Sequence, residues 1–197
     1  MKLKLNEICD IKLGCYLSRF RDETLTEEQK KYKYKVLTLK SIQDEYQILE
    51  DSYDILEVEK EMKEEFIAKK GDSVVRLRRP VKAVDITEKE EGIIIQSLFS
   101  IVRVKDKSKV LPEYITIYLN SKEVEKQLFT EIQGTSIMTI SNQVLSQIEI
   151  EVPSIDKQLE IVKLDKLLKR EKQLLELLQE KRRILFENII SDVNGIN

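Results

Sequence analysis

Histidine and tryptophan are absent from the 197 residues. Without imidazole the chain loses the usual general base near neutral pH, the commonest metal ligand and every histidine-based catalytic triad. Catalysis would have to rest on carboxylates, Lys, Tyr or Cys. Glycine occurs only five times, at Gly14, Gly71, Gly92, Gly134 and Gly195. These are never clustered as a dinucleotide fingerprint or a phosphate-binding loop requires, which argues against nucleotide hydrolysis. The two cysteines, Cys9 and Cys15, lie too close together for a typical structural disulfide. With no second pair and no His they cannot complete a zinc site, so no metal is expected. They read as reduced thiols of a cytoplasmic protein, in the core or on the surface. No apolar run approaches the ~18–20 residues that cross a bilayer, and the Met1-Lys-Leu-Lys-Leu-Asn-Glu start meets charge before a signal-like core develops. A cytoplasmic location without membrane contact is the expectation.

What is present is charge of both signs. Residues of types Asp, Glu, Lys and Arg make up 36% of the chain, and their sum is only -2; 41% is hydrophobic, enough for one core with an appendage. Val152-Pro153-Ser154 marks the boundary. Before it, short apolar runs at residues 34–39, 72–77, 81–86, 92–96, 99–104 and 147–152 read as strands, several alternating at period two between turn-like punctuation. Pro112 opens a helical stretch from Tyr114 to about Gln133, broken near Asn120-Ser121. From Asp156 to about Val193 there is neither Gly nor Pro, and the composition predicts one long helix, capped at its start by Ser154 or Asp156. The expectation is therefore an α/β (α+β) domain over residues 1–153, followed by a coiled-coil-forming helix over 154–197.

The helix carries a heptad pattern. One seam position takes Ile161, Leu168, Leu175, Arg182 and Ile189, and the other takes Leu164, Glu171, Leu178, Leu185 and Asp192. Leu167 and Leu174 widen the stripe, so a further packed surface is expected there. Among the polar exceptions, Glu171 and Arg182 select the partner. In an antiparallel pair of identical helices centred between Leu175 and Leu178, Glu171 meets the mate's Arg182. In a parallel pair, each would meet its own kind. An antiparallel homodimer is expected, with Leu164, Leu168, Glu171, Leu175, Leu178, Arg182, Leu185 and Ile189 at its interface. The alternative is an ordinary packed helix from which both polar residues snorkel.

The charges are unevenly distributed. Residues 44–65 hold ten acidic and two basic side chains. The cations cluster instead at Arg19 and Arg21, at Lys30, Lys31, Lys33 and Lys35, and at Arg76, Arg78, Arg79 and Lys82. Such clusters can neutralise phosphates of double-stranded DNA, with the acidic stretch facing away; a solvated surface is the plainer reading.

Several ordered landmarks resemble the DNA-specificity subunits of type I restriction–modification systems. Lys4-Leu-Asn-Glu-Ile-Cys-Asp-Ile-Lys-Leu-Gly14 is similar to that family's opening. Ala68-Lys-Lys-Gly-Asp-Ser-Val-Val75 resembles its Gly-Asp-plus-strand element, and Leu111-Pro-Glu-Tyr-Ile115 with Leu119-Asn-Ser121 resembles its Pro-Glu-Tyr helix. The closing run is the most specific: Gln133-Gly-Thr-Ser-Ile137, Ile140-Ser141, Leu145, Ile148-Glu-Ile150, Val152-Pro-Ser154 and Gln158-Leu-Glu-Ile161 follow in order into the long helix. The resemblance implies a target recognition domain followed by a spacer helix. A full subunit has two of each, so this chain resembles a half subunit.

The resemblance further implies a non-catalytic role, positioning DNA methyltransferase subunits. Those partners would supply S-adenosylmethionine, and restriction subunits of a restricting complex would supply ATP and Mg chemistry; no cofactor is expected on this chain. The residues expected at DNA are Arg19, Arg21, Lys33, Arg76, Arg78 and Arg79, with Gln133, Gly134, Thr135 and Ser136 in a loop. Gly134 reads equally as a helix C-cap. Two other functions compete. One is a protein-binding adaptor that dimerises by its coiled coil, separable by whether sequence-specific adenine methylation requires this chain. The other is a nuclease using fragments such as Glu61-Met-Lys63.

Overall fold

The computed structural model describes residues 1–22, 24–42, 48, 52–132, 139–193 and 195. Its elements in chain order are β1 (Lys2–Lys4), α1 (Leu5–Ile8), β2 (Cys9–Leu13), β3 (Tyr32–Leu37), β4 (Asp54–Val58), β5 (Ser73–Arg76), β6 (Lys82–Asp85), β7 (Ile94–Ile95), β8 (Phe99–Val104), α2 (Pro112–Leu119), α3 (Lys122–Ile132), α4 (Asn142–Gln147), β9 (Glu149–Glu151) and α5 (Ile155–Val193). They form two compact units, Met1–Gln158 and Leu159–Asn197. This is the mixed α/β domain and long helix that the sequence predicts.

Among the described residues the first unit contains three small sheets. β2, β8, β5 and β6 lie side by side in that order, all antiparallel. β8 and β5 at the centre are buried nearly throughout, which is why they read as almost continuous apolar runs. A second sheet has the order β4-β3-β7, with β3 and β7 parallel. Successive residues on a strand face opposite sides. Val36 and Ile94 therefore join Cys15, Leu56, Val58 and Met62 in one core cluster, while Leu37 and Ile95 join Val74, Val84, Phe99 and Ile101 in another. β1 closes against β9, Leu3 opposite Ile150.

Gly14 couples the two larger sheets. Its N–H donates to the Phe99 carbonyl at 3.0 Å, and the next residue, Cys15, donates to Ile95 at 2.8 Å. A Cβ on Gly14 would lie 2.3 Å from the Gln96 carbonyl oxygen, so only glycine permits this approach. Asp72 fastens β5 to β8 by a two-pronged bond from Arg103, 2.7 Å from Nε and 2.6 Å from Nη2, and also accepts from the Lys69 N–H at 2.7 Å. The break at Asn120 is itself structural. Its side-chain amide accepts from the Ala83 N–H and donates to the Ala83 carbonyl, so the end of α2 holds the edge of β6.

Several elements depart from the sequence expectation, β1, α1 and β2 at the start of the chain among them. β4 sits inside the acidic stretch, where Glu and Asp conceal an alternation that buries Leu56 and Val58. The strand expected at residues 34–39 begins earlier, at Tyr32, and ends at Leu37, where a tight turn at Leu39–Ser41 takes over. α4 has only six residues and is capped by Ser141, whose Oγ accepts from the Val144 N–H at 3.2 Å.

α5 is continuous for 39 residues, about 58 Å at 1.5 Å per residue. Its first turn belongs to the globular unit through Gln158, which is wholly buried. The Gln158 Oε1 accepts from the Leu111 N–H at 2.9 Å, and Nε2 donates to the Lys109 carbonyl at 3.0 Å and the Pro153 carbonyl at 2.9 Å. Gln158→Leu keeps the volume and strands these three backbone groups, each unsatisfied group costing about 1–3 kcal/mol. The variant should melt several degrees lower, on the order of 5–10 °C; an unchanged thermal denaturation midpoint would contradict this role.

Candidate nucleic-acid interface

The cations singled out by sequence fall into separate groups. Arg19 ends a tight turn at Leu17–Arg19 and lays its guanidinium over the half-exposed Tyr16 ring, 5.1 Å from its centroid. Arg21 pairs with Asp54 at 3.3 Å, and Lys33 pairs with Glu57 at 3.2 Å. Asp54 and Glu57 are three residues apart on β4 and so face opposite sides of the sheet. The acidic stretch therefore does not face away from the cations, as the sequence suggests. The antiparallel β3–β4 register sets Glu57 directly across from Lys33.

Arg76, Arg78 and Arg79 lie together at the end of β5 and beyond. Arg78 and Arg79 are exposed. Arg76 donates from Nη2 to the Arg79 carbonyl at 3.5 Å, while its buried Nε has no hydrogen-bond partner among the described residues. Gln133, Gly134, Thr135 and Ser136 lie outside the described residues. Thr139, a few residues further on, forms an antiparallel bridge with Arg78, and the Ile140 N–H donates to the Leu77 carbonyl at 2.8 Å. The structure thus brings the chain after residue 138 against the Arg76–Arg79 segment. A shallow cavity of about 540 Å³ opens beside Arg79, lined by Val81, Leu119, Leu128 and the half-exposed Phe129 among others.

Aromatic rings accompany the cations, a feature that a count of charges misses. Tyr32 and Tyr34 stack with centroids 6.5 Å apart, and the Lys35 ammonium lies 5.4 Å from the Tyr53 ring centroid. The signal was present in the alternation Lys31-Tyr-Lys-Tyr-Lys35. Glu57 is held below the usual carboxylate range by hydrogen bonds from Lys33 and then Lys30. Lys30 is in turn pushed up, first by Glu27 and then by Glu57. Of the Glu61-Met-Lys63 triplet, Met62 is buried and its neighbours are exposed. Among the described residues no three His, Cys, Asp or Glu side chains are placed to hold a metal ion.

Both cysteines are free and buried. Burial raises the Cys9 thiol to about 12 and the Cys15 thiol to about 11. The thiolate is the reactive form, so raised values mean protonated, inert sulfur throughout the neutral range. Native protein at pH 8 should resist iodoacetamide, and both thiols should react once denatured; rapid native labelling would contradict the burial.

A mixed α/β domain that ends in a buried glutamine and runs directly into a long helix defines a domain-plus-helix architecture. The family model for the type I restriction modification DNA specificity domain matches residues 1–181, and the chain belongs to this family. Among solved structures it is similar to the HsdS subunit from Thermoanaerobacter tengcongensis, with TM-score 0.66 and 18% identity over 98% of this chain and 49% of that one. It is also similar to a chain from a type I R-M system solved for its complex assembly and conformational transition. There the TM-score is 0.62, at 16% identity over 96% of this chain and 43% of that one. The S subunit from M. genitalium gives TM-score 0.57 at 16% identity, covering 97% and 45%. The chain thus spans about half the length of the structures it matches. No curated protein sequence matches it. Among the described residues no helix is long and apolar enough to cross a membrane.

Proposed function

We propose that the chain is a DNA-binding half subunit of a type I restriction–modification enzyme. It has no catalytic role of its own, pairs antiparallel with a second copy through α5, and delivers methyltransferase subunits to a two-part site. The observation that carries this reading is the uncovered face of α5. Leu164, Leu168, Leu175, Leu178, Leu185 and Ile189 are each about half exposed, as are Leu167 and Leu174 beside them. Among the described residues Glu171 and Arg182 make no ion pair, whereas Arg183 holds Glu180 at 2.6 Å and Glu187 at 2.5 Å on its own helix.

A second copy laid antiparallel with Leu175 against Leu178 sets Leu168 against Leu185 and Leu164 against Ile189. The same operation joins both Glu171 carboxylates to Arg182 guanidiniums. A parallel copy would stack like charges in the seam. A two-fold axis then calls for half-sites in inverted repeat. S-adenosylmethionine, and ATP with Mg in a restricting complex, would be bound by the partner subunits. Glu171→Arg should convert the dimer to monomer in analytical ultracentrifugation, and E171R/R182E should restore it; a dimer indifferent to the single change would overturn this register.

In this reading Arg19, Arg21, Lys33, Arg76, Arg78 and Arg79 neutralise phosphates and hold the duplex in position, while polar groups beside them meet base edges. In the Arg76–Arg79 segment Arg78 and Arg79 are exposed, and this exposure supports its place in the footprint. Replacing Arg76, Arg78 and Arg79 together with Ala should weaken duplex binding and flatten the plot of log affinity against log salt by about 0.9 for each phosphate no longer neutralised. An unchanged slope in fluorescence anisotropy titrations would remove this segment from the footprint.

A further inference from the structure

The Glu57 carboxylate pairs with Lys33 at 3.2 Å, directly across the β3–β4 register, and with Lys30 at 3.4 Å, an ammonium that is held more closely by Glu27 at 2.5 Å. Lys35 lies on the same face as Lys33, two residues along β3, opposite the exposed Ile55. Without Glu57 this face of β3 would carry two cations, Lys33 and Lys35, with the stacked Tyr32 and Tyr34 on the opposite face. Glu57 is only one-third exposed, so it sits among the lysine stems and does not wave free in solvent, while the Lys33 side chain is two-thirds exposed and reachable.

A phosphate approaching Lys30 or Lys33 must displace this carboxylate or accept a like charge about 3–4 Å from the ammonium it seeks. The hindrance falls on every duplex alike. A penalty common to all duplexes lowers each affinity by the same factor, so it weakens binding to random DNA and leaves the ratio between sequences unchanged. Arg78 and Arg79 make no such ion pair among the described residues, so the two cationic groups differ in kind.

We propose that Glu57 is an affinity-limiting residue, an internal competitor for phosphate that holds Lys33 off duplex DNA of any sequence. The proposal rests on the DNA-binding reading above. It is separable from a merely structural ion pair because it predicts tighter binding when an interaction is removed. A surface pair of this kind contributes little to folding, so Glu57→Gln should leave the thermal midpoint of the full chain nearly unchanged. Glu57→Thr, a strand-compatible change without charge, is a second variant of the same expected sign.

The test is anisotropy titration of the full chain with a random-sequence duplex across a series of KCl concentrations. Glu57→Gln is expected to bind about 3- to 10-fold more tightly at low salt, with the log–log salt slope steeper by about 0.9 for each phosphate newly neutralised. The gain should vanish when Lys33→Gln is added. Unchanged or weaker binding by Glu57→Gln, with Lys33→Gln weakening the wild-type chain, overturns the proposal and leaves the DNA reading standing. If neither the Lys30 and Lys33 variants nor the Arg76, Arg78 and Arg79 variant alters binding, the DNA reading itself fails and this proposal fails with it.

Discussion

One buried amide anchors the long helix to the rest of the molecule. Gln158 has no exposed surface, and its side chain meets three backbone groups from two places in the chain, before α2 and after β9. An amide offers one carbonyl and two N–H donors, so a single residue satisfies an orphan donor and two orphan acceptors at once. A leucine in its place could fill the space but not the valences. The residue is therefore a keystone for three segments: the approach to α2, the exit from β9 through Pro153, and the opening turn of α5. The same glutamine opens the Gln158-Leu-Glu-Ile161 stretch, and the geometry supplies a physical reason for glutamine at that point in a type I specificity domain.

Much of this architecture was legible in the sequence because apolar periodicity survived where both faces of a strand are buried. Phe99–Val104 reads as a strand and is one with the same bounds, and the helix from residue 155 to 193 needs nothing more than the absence of Gly and Pro with a steady supply of Leu, Lys and Glu. The short edge elements were not legible. Lys2–Lys4 has three residues, and its strand character comes from a partner almost 150 positions away. Asp54–Val58 was hidden by charge: two buried side chains among acidic residues signal a surface until the neighbouring lysines are placed beside them.

The candidate interface divides in the same way. The residue types could be picked out from the sequence, since Arg and Lys beside Tyr suit a polyanion. Their grouping could not. Position along the chain groups Arg19 with Arg21 and Lys33 with Lys30, Lys31 and Lys35, but it does not tell that the acidic partners of Arg21 and Lys33 sit three residues apart on opposite faces of β4. Nor does summed charge reveal which cations are free, because a cross-strand register decides which carboxylate each lysine meets. Arg78 could be marked as exposed from its pattern, but the bridge to Thr139 is a fact of tertiary structure.

The pairing of β1 with β9 has a further consequence. The Val152 N–H donates to the Met1 carbonyl at 2.8 Å, so the globular unit enters and leaves its fold side by side, about one strand spacing apart. Everything between is a closed excursion whose outer connections all pass through one narrow neck. A unit of that kind is interchangeable as a cassette. Its interior can change, taking on a different surface, while the β1–β9 pairing and the Gln158 bonds hold the two ends.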